Sequence, residues 1–182
     1  DVRPRYQIIN HRIEAARQYS SPHTSPRSGG EVSLIVLHCI SLPSGHFGGR
    51  YVEDLFMGTL SGQAHQDFSD LTAARVSAHL LIRRCGALLQ FVAFDQAAWH
   101  AGVSFYEGRQ GCNDFSIGIE LEGTDTAPYS EIQYEVLGSV VSALQDHYQI
   151  PTSAVVGHMD IAPGRKTDPG PTFEWEKFWH RC

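Results

Sequence analysis

The hydrophobic pattern marks a few short, well-bounded elements. Val32 to Leu37 contains an unbroken apolar run that stops at His38, the pattern of a strand buried on both faces. Between Ser77 and Phe94 two apolar runs flank a turn containing Gly86, which predicts a β-hairpin. From Phe115 to Glu122 the chain alternates: Phe115, Ile117, Ile119 and Leu121 share one face, and Ser116, Gly118, Glu120 and Glu122 the other. Ser130-Glu131-Ile132-Gln133 is a capping-box pattern with Ser130 at the N-cap. Ile132, Val136, Leu137, Val140, Val141, Leu144 and Tyr148 then line one face of a helix. Pro151 resets the chain, and Ala154-Val155-Val156 forms a brief strand running into Gly157-His158.

The intervening stretches are polar. Residues 1–30 end in a run rich in Ser, Pro and Gly and are expected to form an irregular arm. Residues 41–50 are turn-rich and predict a loop, followed by a short helical turn over Glu53 to Thr59. Strands interleaved with helices predict an α/β fold, a mixed central β-sheet with helices packed on it. At this length one domain spanning residues 1–182 is expected. No internal repeat is visible.

Composition narrows the function. Apolar residues at 42% and aromatics at 10% support a real core and exclude global disorder. No stretch approaches the roughly 18 unbroken apolar residues of a membrane span. Fourteen Lys and Arg against 20 Asp and Glu leave a net charge of −6, which argues against a nucleic-acid partner held through phosphates. Cys39, Cys85, Cys112 and Cys182 include no Cys-x-x-Cys pair. They could make two disulfides, but a chain of this size needs no such staples, and scattered thiols suit a reducing compartment. Asp1-Val2-Arg3-Pro4-Arg5 is followed by no apolar signal core, so a cytoplasmic protein is expected.

The ten histidines are the compositional oddity. Two of them, His38 and His158, stand where apolar strands end, and Lys166 and Asp168 lie in a loop rigidified by Pro169 and Pro171. Two histidines and a carboxylate leave one position of a tetrahedral zinc ion open, the ligand count of a catalytic site. On residue type alone each histidine reads equally as a hydrogen-bonded structural group, and Lys166 as a solvated loop charge. Glu120 sits in a strand with an interior-looking face, although it could share a solvent-facing side with Glu122. His79 and His100 read as supporting or structural residues, and His23, His46, His65, His147 and His180 as bystanders.

Longer blocks carry more information. Leu37-His38 with Ile40-Ser41-Leu42-Pro43 and Phe47-Gly48-Gly49 resembles the first segment of the AmpD-type N-acetylmuramoyl-L-alanine amidases. The similarity continues through Arg75-Val76-Ser77-Ala78-His79, Ala98-Trp99-His100-Ala101-Gly102-Val103-Ser104 and Cys112 to Asp125, and closes with Gly157-His158, Asp160-Ile161-Ala162-Pro163 and Arg165 to Gly170. In order, these blocks cover nearly the whole chain beyond residue 32.

The resemblance implies a fold like that of the amidases and peptidoglycan-recognition proteins. It also implies a zinc amidase of cell-wall recycling, cleaving the lactyl–L-alanine amide of 1,6-anhydro-N-acetylmuramyl peptides. His38, His158 and Asp168 would hold Zn2+. Glu120 would act as general base on the attacking water, and Lys166 would stabilise the oxyanion. Arg75 would meet a substrate carboxylate, and Ala98 and Trp99 would lie along the sugar and peptide groove. The partner would be a small soluble anhydromuropeptide, with no nucleic acid or membrane involved and a monomeric enzyme. In organisms with the matching regulator, activity would influence β-lactamase induction.

Two positions depart from that pattern. The residue after the first zinc histidine is usually Asn and here is Cys39; the residue before Cys112 is usually Arg and here is Gly111. Both bear on peptide anchoring, so retained chemistry with altered substrate affinity is expected. A wall-degrading lysin would carry a wall-binding module or a basic surface, and a non-catalytic recognition protein typically loses a zinc ligand; neither feature is seen.

Overall fold

The computed structural model describes residues 5–182, so residues 1–4 of the expected arm lie outside the described residues. Among the described residues, twelve strands and four α-helices are formed. The strands are β1 (Ile8–Ile9), β2 (Arg12–Ile13), β3 (Arg17–Gln18), β4 (Thr24–Pro26), β5 (Leu34–Ile40), β6 (Leu80–Ile82), β7 (Leu88–Gln90), β8 (Gln96–Ala98), β9 (Phe105–Tyr106), β10 (Arg109–Gln110), β11 (Ser116–Glu122) and β12 (Val155–Gly157). The helices are α1 (Tyr51–Met57), α2 (Glu131–Tyr148), α3 (His158–Ile161) and α4 (Trp175–Trp179).

The central sheet has six strands in the order β12-β5-β11-β6-β7-β3. β5 and β11 pair in parallel along their full length, β12 adds in parallel to β5, and β6 adds in parallel to β11. The antiparallel β6–β7 pair is the expected hairpin. The fold is therefore the mixed α/β sheet anticipated from the sequence. All seven residues of β11 are buried, because a central parallel strand is covered on both faces. That explains why the polar side of its alternation is as buried as the apolar side.

α2 starts as expected. Ser130 Oγ accepts the Gln133 N–H at 3.3 Å, and the Gln133 side chain accepts the Ser130 N–H at 3.1 Å. Its Val136, Leu137, Val140, Val141 and Leu144 are buried with Ile35, Leu37, Ile117 and Ile119 of the sheet in the larger core cluster. A second cluster of Val52, Leu55, Phe56, Leu81 and Phe91 forms where α1 packs. No helix among the described residues is long and apolar enough to cross a membrane. None of the four cysteines is in a disulfide.

The structure corrects two readings. β5 does not stop at His38 but continues through Ile40. Residues 8–26 are not irregular: β3 joins the central sheet beside β7, and β4 pairs antiparallel with β8. Arg27 anchors this segment. Its buried guanidinium donates to the carbonyls of Phe94, Asn113 and Ser116 at 2.8–3.2 Å, and burial lowers its pKa to about 10. Three carbonyls take up the donors of a buried charge, which is how a buried cation is tolerated.

Candidate active site

The parallel strands of the sheet end on one side, and the polar residues singled out above meet there. Such carboxyl-end edges are where open α/β sheets place their ligands. Gly157 pairs with Leu37, so His158 leaves β12 beside His38 on β5, with ring centroids 4.5 Å apart. Asp168 is brought back by its loop: the Met159 N–H donates to the Asp168 carbonyl at 3.0 Å, and Tyr129 Oη donates to that of Pro169 at 2.6 Å. One potential ligand atom from each of His38, His158 and Asp168 lies within 4.8 Å of the others.

Hydrogen bonding tests whether this set suits a metal. His158 Nε2 stands 2.9 Å from the Ala101 carbonyl, which can only accept, so the ring proton sits on Nε2. A neutral His158 then turns the bare lone pair of Nδ1 toward Asp168 Oδ2, 3.2 Å away. Lone pairs facing each other repel, and a cation between them removes the conflict. His38 Nδ1 approaches the same carboxylate oxygen at 3.0 Å. Burial is the leading cause that holds His38 below its ordinary pKa, against the pull of Asp168. For Asp168, burial acts upward, but the neighbouring His158 and His38 rings outweigh it and hold the carboxylate below its ordinary pKa. Neutral imidazole and ionised carboxylate are the forms that bind metal. The donor set fits zinc.

Glu120 pairs with His38 across the β5–β11 ladder, and its Oε1 is 4.0 Å from His38 Nδ1. It is 7% exposed. Burial, helped by the charge of Asp168 and opposed by Lys166, pushes its pKa well above the ordinary carboxylate value. A buried carboxyl of raised pKa is suited to proton transfer. Lys166 lies on the exposed segment between α3 and Asp168, its N–H bonded to the Ala162 carbonyl at 3.0 Å.

The remaining predicted residues are placed differently. Arg75 is exposed ahead of β6. Ala98 is fully buried in β8, where its methyl packs into the second core cluster, leaving only its backbone to meet a ligand. Trp99 is half-buried; its Nε1 donates to Ser25 Oγ at 3.1 Å, and its ring stacks on His23 at 5.8 Å. His23 is thus no bystander but a buried support for Trp99. Its position in a Ser- and Pro-rich stretch carried no signal of that role. His100, read from the sequence as supporting or structural, contacts His38 directly, its Nδ1 lying 2.8 Å from His38 Nε2.

An α/β fold that gathers a His-His-Asp donor set and a buried carboxylate at one end of its sheet fits a metal ion, and comparison with known proteins gives the family. Residues 28–171 match the family described as N-acetylmuramoyl-L-alanine amidase, and the chain belongs to that family. It is accordingly an enzyme, an amide hydrolase of the AmpD type. The 1,6-anhydro-N-acetylmuramyl-L-alanine amidase AmpD of Escherichia coli is 55% identical over 167 residues, covering 91% of each chain. Its counterpart from Haemophilus influenzae is 47% identical, covering 89% of each. A crystal structure of a selenomethionine AmpD derivative superposes with a TM-score of 0.93 at 50% identity, covering 94% of this chain and 97% of that one. The Escherichia coli amidase AmiD, solved with the substrate anhydro-N-acetylmuramic acid-L-Ala-D-gamma-Glu-L-Lys, superposes at 0.61 and 29% identity, covering 89% of this chain and 60% of AmiD.

Proposed function

We propose that this chain is a zinc-dependent amidase that hydrolyses the lactyl–L-alanine amide of 1,6-anhydro-N-acetylmuramyl peptides during peptidoglycan recycling. The observation that carries the reading is the meeting of His38, His158 and Asp168 at one sheet edge, with Glu120 opposite His38 in register. The names of the AmpD relatives and the ligand in the AmiD structure support the substrate class.

His38, His158 and Asp168 would hold the ion. When bound, zinc lowers the pKa of a water toward neutrality and polarises the amide carbonyl. Glu120 orients the attacking water and takes its proton. The water oxygen bonds to the lactyl carbonyl carbon, the carbon–nitrogen bond breaks, and Glu120 returns the proton to the departing amine of L-alanine. Lys166 offers its ammonium to the oxyanion that forms on the carbonyl. Arg75 would meet a carboxylate of the stem peptide, and Trp99 with the backbone of Ala98 would flank the sugar.

The reading extends to the whole chain as one amidase domain, acting as a monomer in the cytoplasm on a soluble substrate. Its activity would keep anhydromuropeptides low and so influence β-lactamase induction where the regulator exists. The test is mass spectrometry of stem peptide released from anhydro-N-acetylmuramyl-tripeptide, with wild type and Glu120→Gln, each with and without a chelator. Cleavage at the lactyl–alanine bond that falls about 10²–10⁴-fold in the variant, and is abolished by the chelator, is expected. Tight binding of that ligand by zinc-loaded protein without cleavage would overturn the catalytic reading in favour of recognition.

A further inference from the structure

We infer that the His100-Ala101 dipeptide, pinned by the side chain of Asn113, orients both histidines of the metal site, and that His100 is a positioning residue for His38. The inference rests on the proposed metal-binding role of His38 and His158.

The two ring nitrogens that face away from Asp168 are both taken up by this dipeptide. His38 Nε2 meets His100 Nδ1 at 2.8 Å, and His158 Nε2 meets the Ala101 carbonyl at 2.9 Å. The directions of these bonds are fixed by what a metal ligand requires. For His38 Nδ1 to present a lone pair, its proton must sit on Nε2, so His100 Nδ1 accepts. His100 then carries its own proton on Nε2 and donates it to Ser116 Oγ, 3.0 Å away. The chain His38 to His100 to Ser116 therefore runs in one direction only, and it locks the tautomer that exposes Nδ1. Groups that fix a metal-ligating imidazole in this way typically change metal affinity by 10–100-fold when removed.

The dipeptide is itself held. Asn113 Oδ1 accepts the N–H groups of both His100 and Ala101, at 3.1 and 2.8 Å. Asn113 is tied down in turn, since its carbonyl receives Arg27 Nη1 at 3.2 Å. Room for the His100 ring exists because residue 118 is glycine: a Cβ there would stand 2.4 Å from His100 Cγ. Asn113, Arg27 and Gly118 thus act on the site through His100 and Ala101 without touching a ligand atom.

The test measures zinc affinity by competition with a chelating indicator, and the visible absorption of the cobalt-substituted protein, for wild type, His100→Leu, His100→Asn and Asn113→Ala. Asn keeps an acceptor oxygen close to where Nδ1 stands; Leu offers none. His100→Leu is expected to weaken zinc binding by about 10–100-fold and to alter the cobalt spectrum. His100→Asn is expected to recover most of the affinity, and Asn113→Ala to weaken binding with His100 intact. Zinc affinity of His100→Leu equal to wild type, or no recovery in His100→Asn, would overturn the inference. If His100→Leu does not fold, wild-type affinity in Asn113→Ala would do the same. Wild-type protein that takes up no zinc would instead sink the metal-site reading beneath it.

Discussion

Glu120 and His38 are direct register partners on neighbouring parallel strands, with Glu120 Oε1 4.0 Å from His38 Nδ1. Partners in a ladder share a face, so the backbone pairing of β5 and β11 alone sets the proposed base beside a proposed metal ligand. The site's central distance is therefore as rigid as the sheet, and a loop movement leaves it unchanged.

That burial has a consequence for pH. As the proposed base Glu120 works only when ionised, and without a bound metal its pKa lies well above the ordinary carboxylate range because of desolvation and the nearby Asp168 charge. In the metal-free protein, the ionisation of Glu120, followed by its carboxyl infrared band, is expected above the ordinary Glu value of about 4.3. Lys166 opposes the upward shift. Lys166→Met should therefore raise that ionisation further, and an ionisation that stays put or moves down would refute the coupling.

Gly118 lies where the sheet leaves least room. A methyl at this position would meet His100 Cγ, Cδ2 and Nδ1 at 2.4–2.7 Å, with β11 held between two parallel neighbours. Gly118→Ala is expected to cost about 1–3 kcal/mol from overpacking. It should also lower zinc affinity, because the ring that yields is the one bonded to His38. Thermal denaturation with and without zinc separates the two effects: the zinc-induced rise in Tm should shrink in the variant.

Arg83 stabilises the ground on which the 41–50 loop stands. It bridges Glu53 of α1 and Glu122 at the end of β11, and both carboxylates are at most 5% exposed. Glu122 also accepts the N–H groups of Gly48 and Arg84 at 2.7 and 3.0 Å, and Tyr19 Oη donates to Glu53 at 2.6 Å. Removing the shared cation leaves buried Glu122 to its two N–H donors, and buried Glu53 to Tyr19 and the exposed Arg50, 3.9 Å away. Arg83→Met should destabilise the fold by about 3–5 kcal/mol in urea denaturation, whereas Arg83→Lys should lose less. Equal stability of Arg83→Met and wild type would show the network to be dispensable.

The parts of the fold that could be read in the sequence are those with a period. β5, the β6–β7 hairpin, β11 and α2 each carry enough apolar residues in register to declare themselves, and His38 and Glu120 stand out because they sit on β5 and β11, while His158 is marked only by the short apolar run that becomes β12. Strands of two or three residues such as β3, β4 and β8 have no period to detect, and Arg27 looks like any surface charge in a Ser-Pro-Gly stretch. His100 stayed ambiguous for a different reason. Its importance lies in a bond to His38, a residue 62 positions away, and only the packing of β8 against β11 creates it. Ala98 marks the opposite case: the resemblance singled it out, but its side chain belongs to the core.

Cys39 and Gly111, the two departures from the family's usual residues, make the substrate-facing prediction. Cys39 Sγ approaches Asp125 Oδ1 at 3.6 Å, and burial pushes its thiol pKa upward, so it offers a peptide only a weak, neutral hydrogen-bonding group. Gly111 borders an open groove of about 570 Å³ with Gly102, Val103, Phe105, Ile161 and Arg165, and has open space where a side chain would project. Its φ of +66° lies in the left-handed region, so Gly111→Arg should cost about 1–2 kcal/mol of stability. That cost falls on the fold, while the added guanidinium would project over the groove, at the position where the resemblance expects an arginine that contacts substrate. The double variant Cys39→Asn with Gly111→Arg is therefore expected to lower KM for anhydromuropeptides with little change in kcat, since neither residue is a metal ligand, Glu120 or Lys166. Unchanged kcat/KM across tri-, tetra- and pentapeptide substrates would mean that this chain anchors its peptide elsewhere, and would turn attention to Arg75 and Arg165.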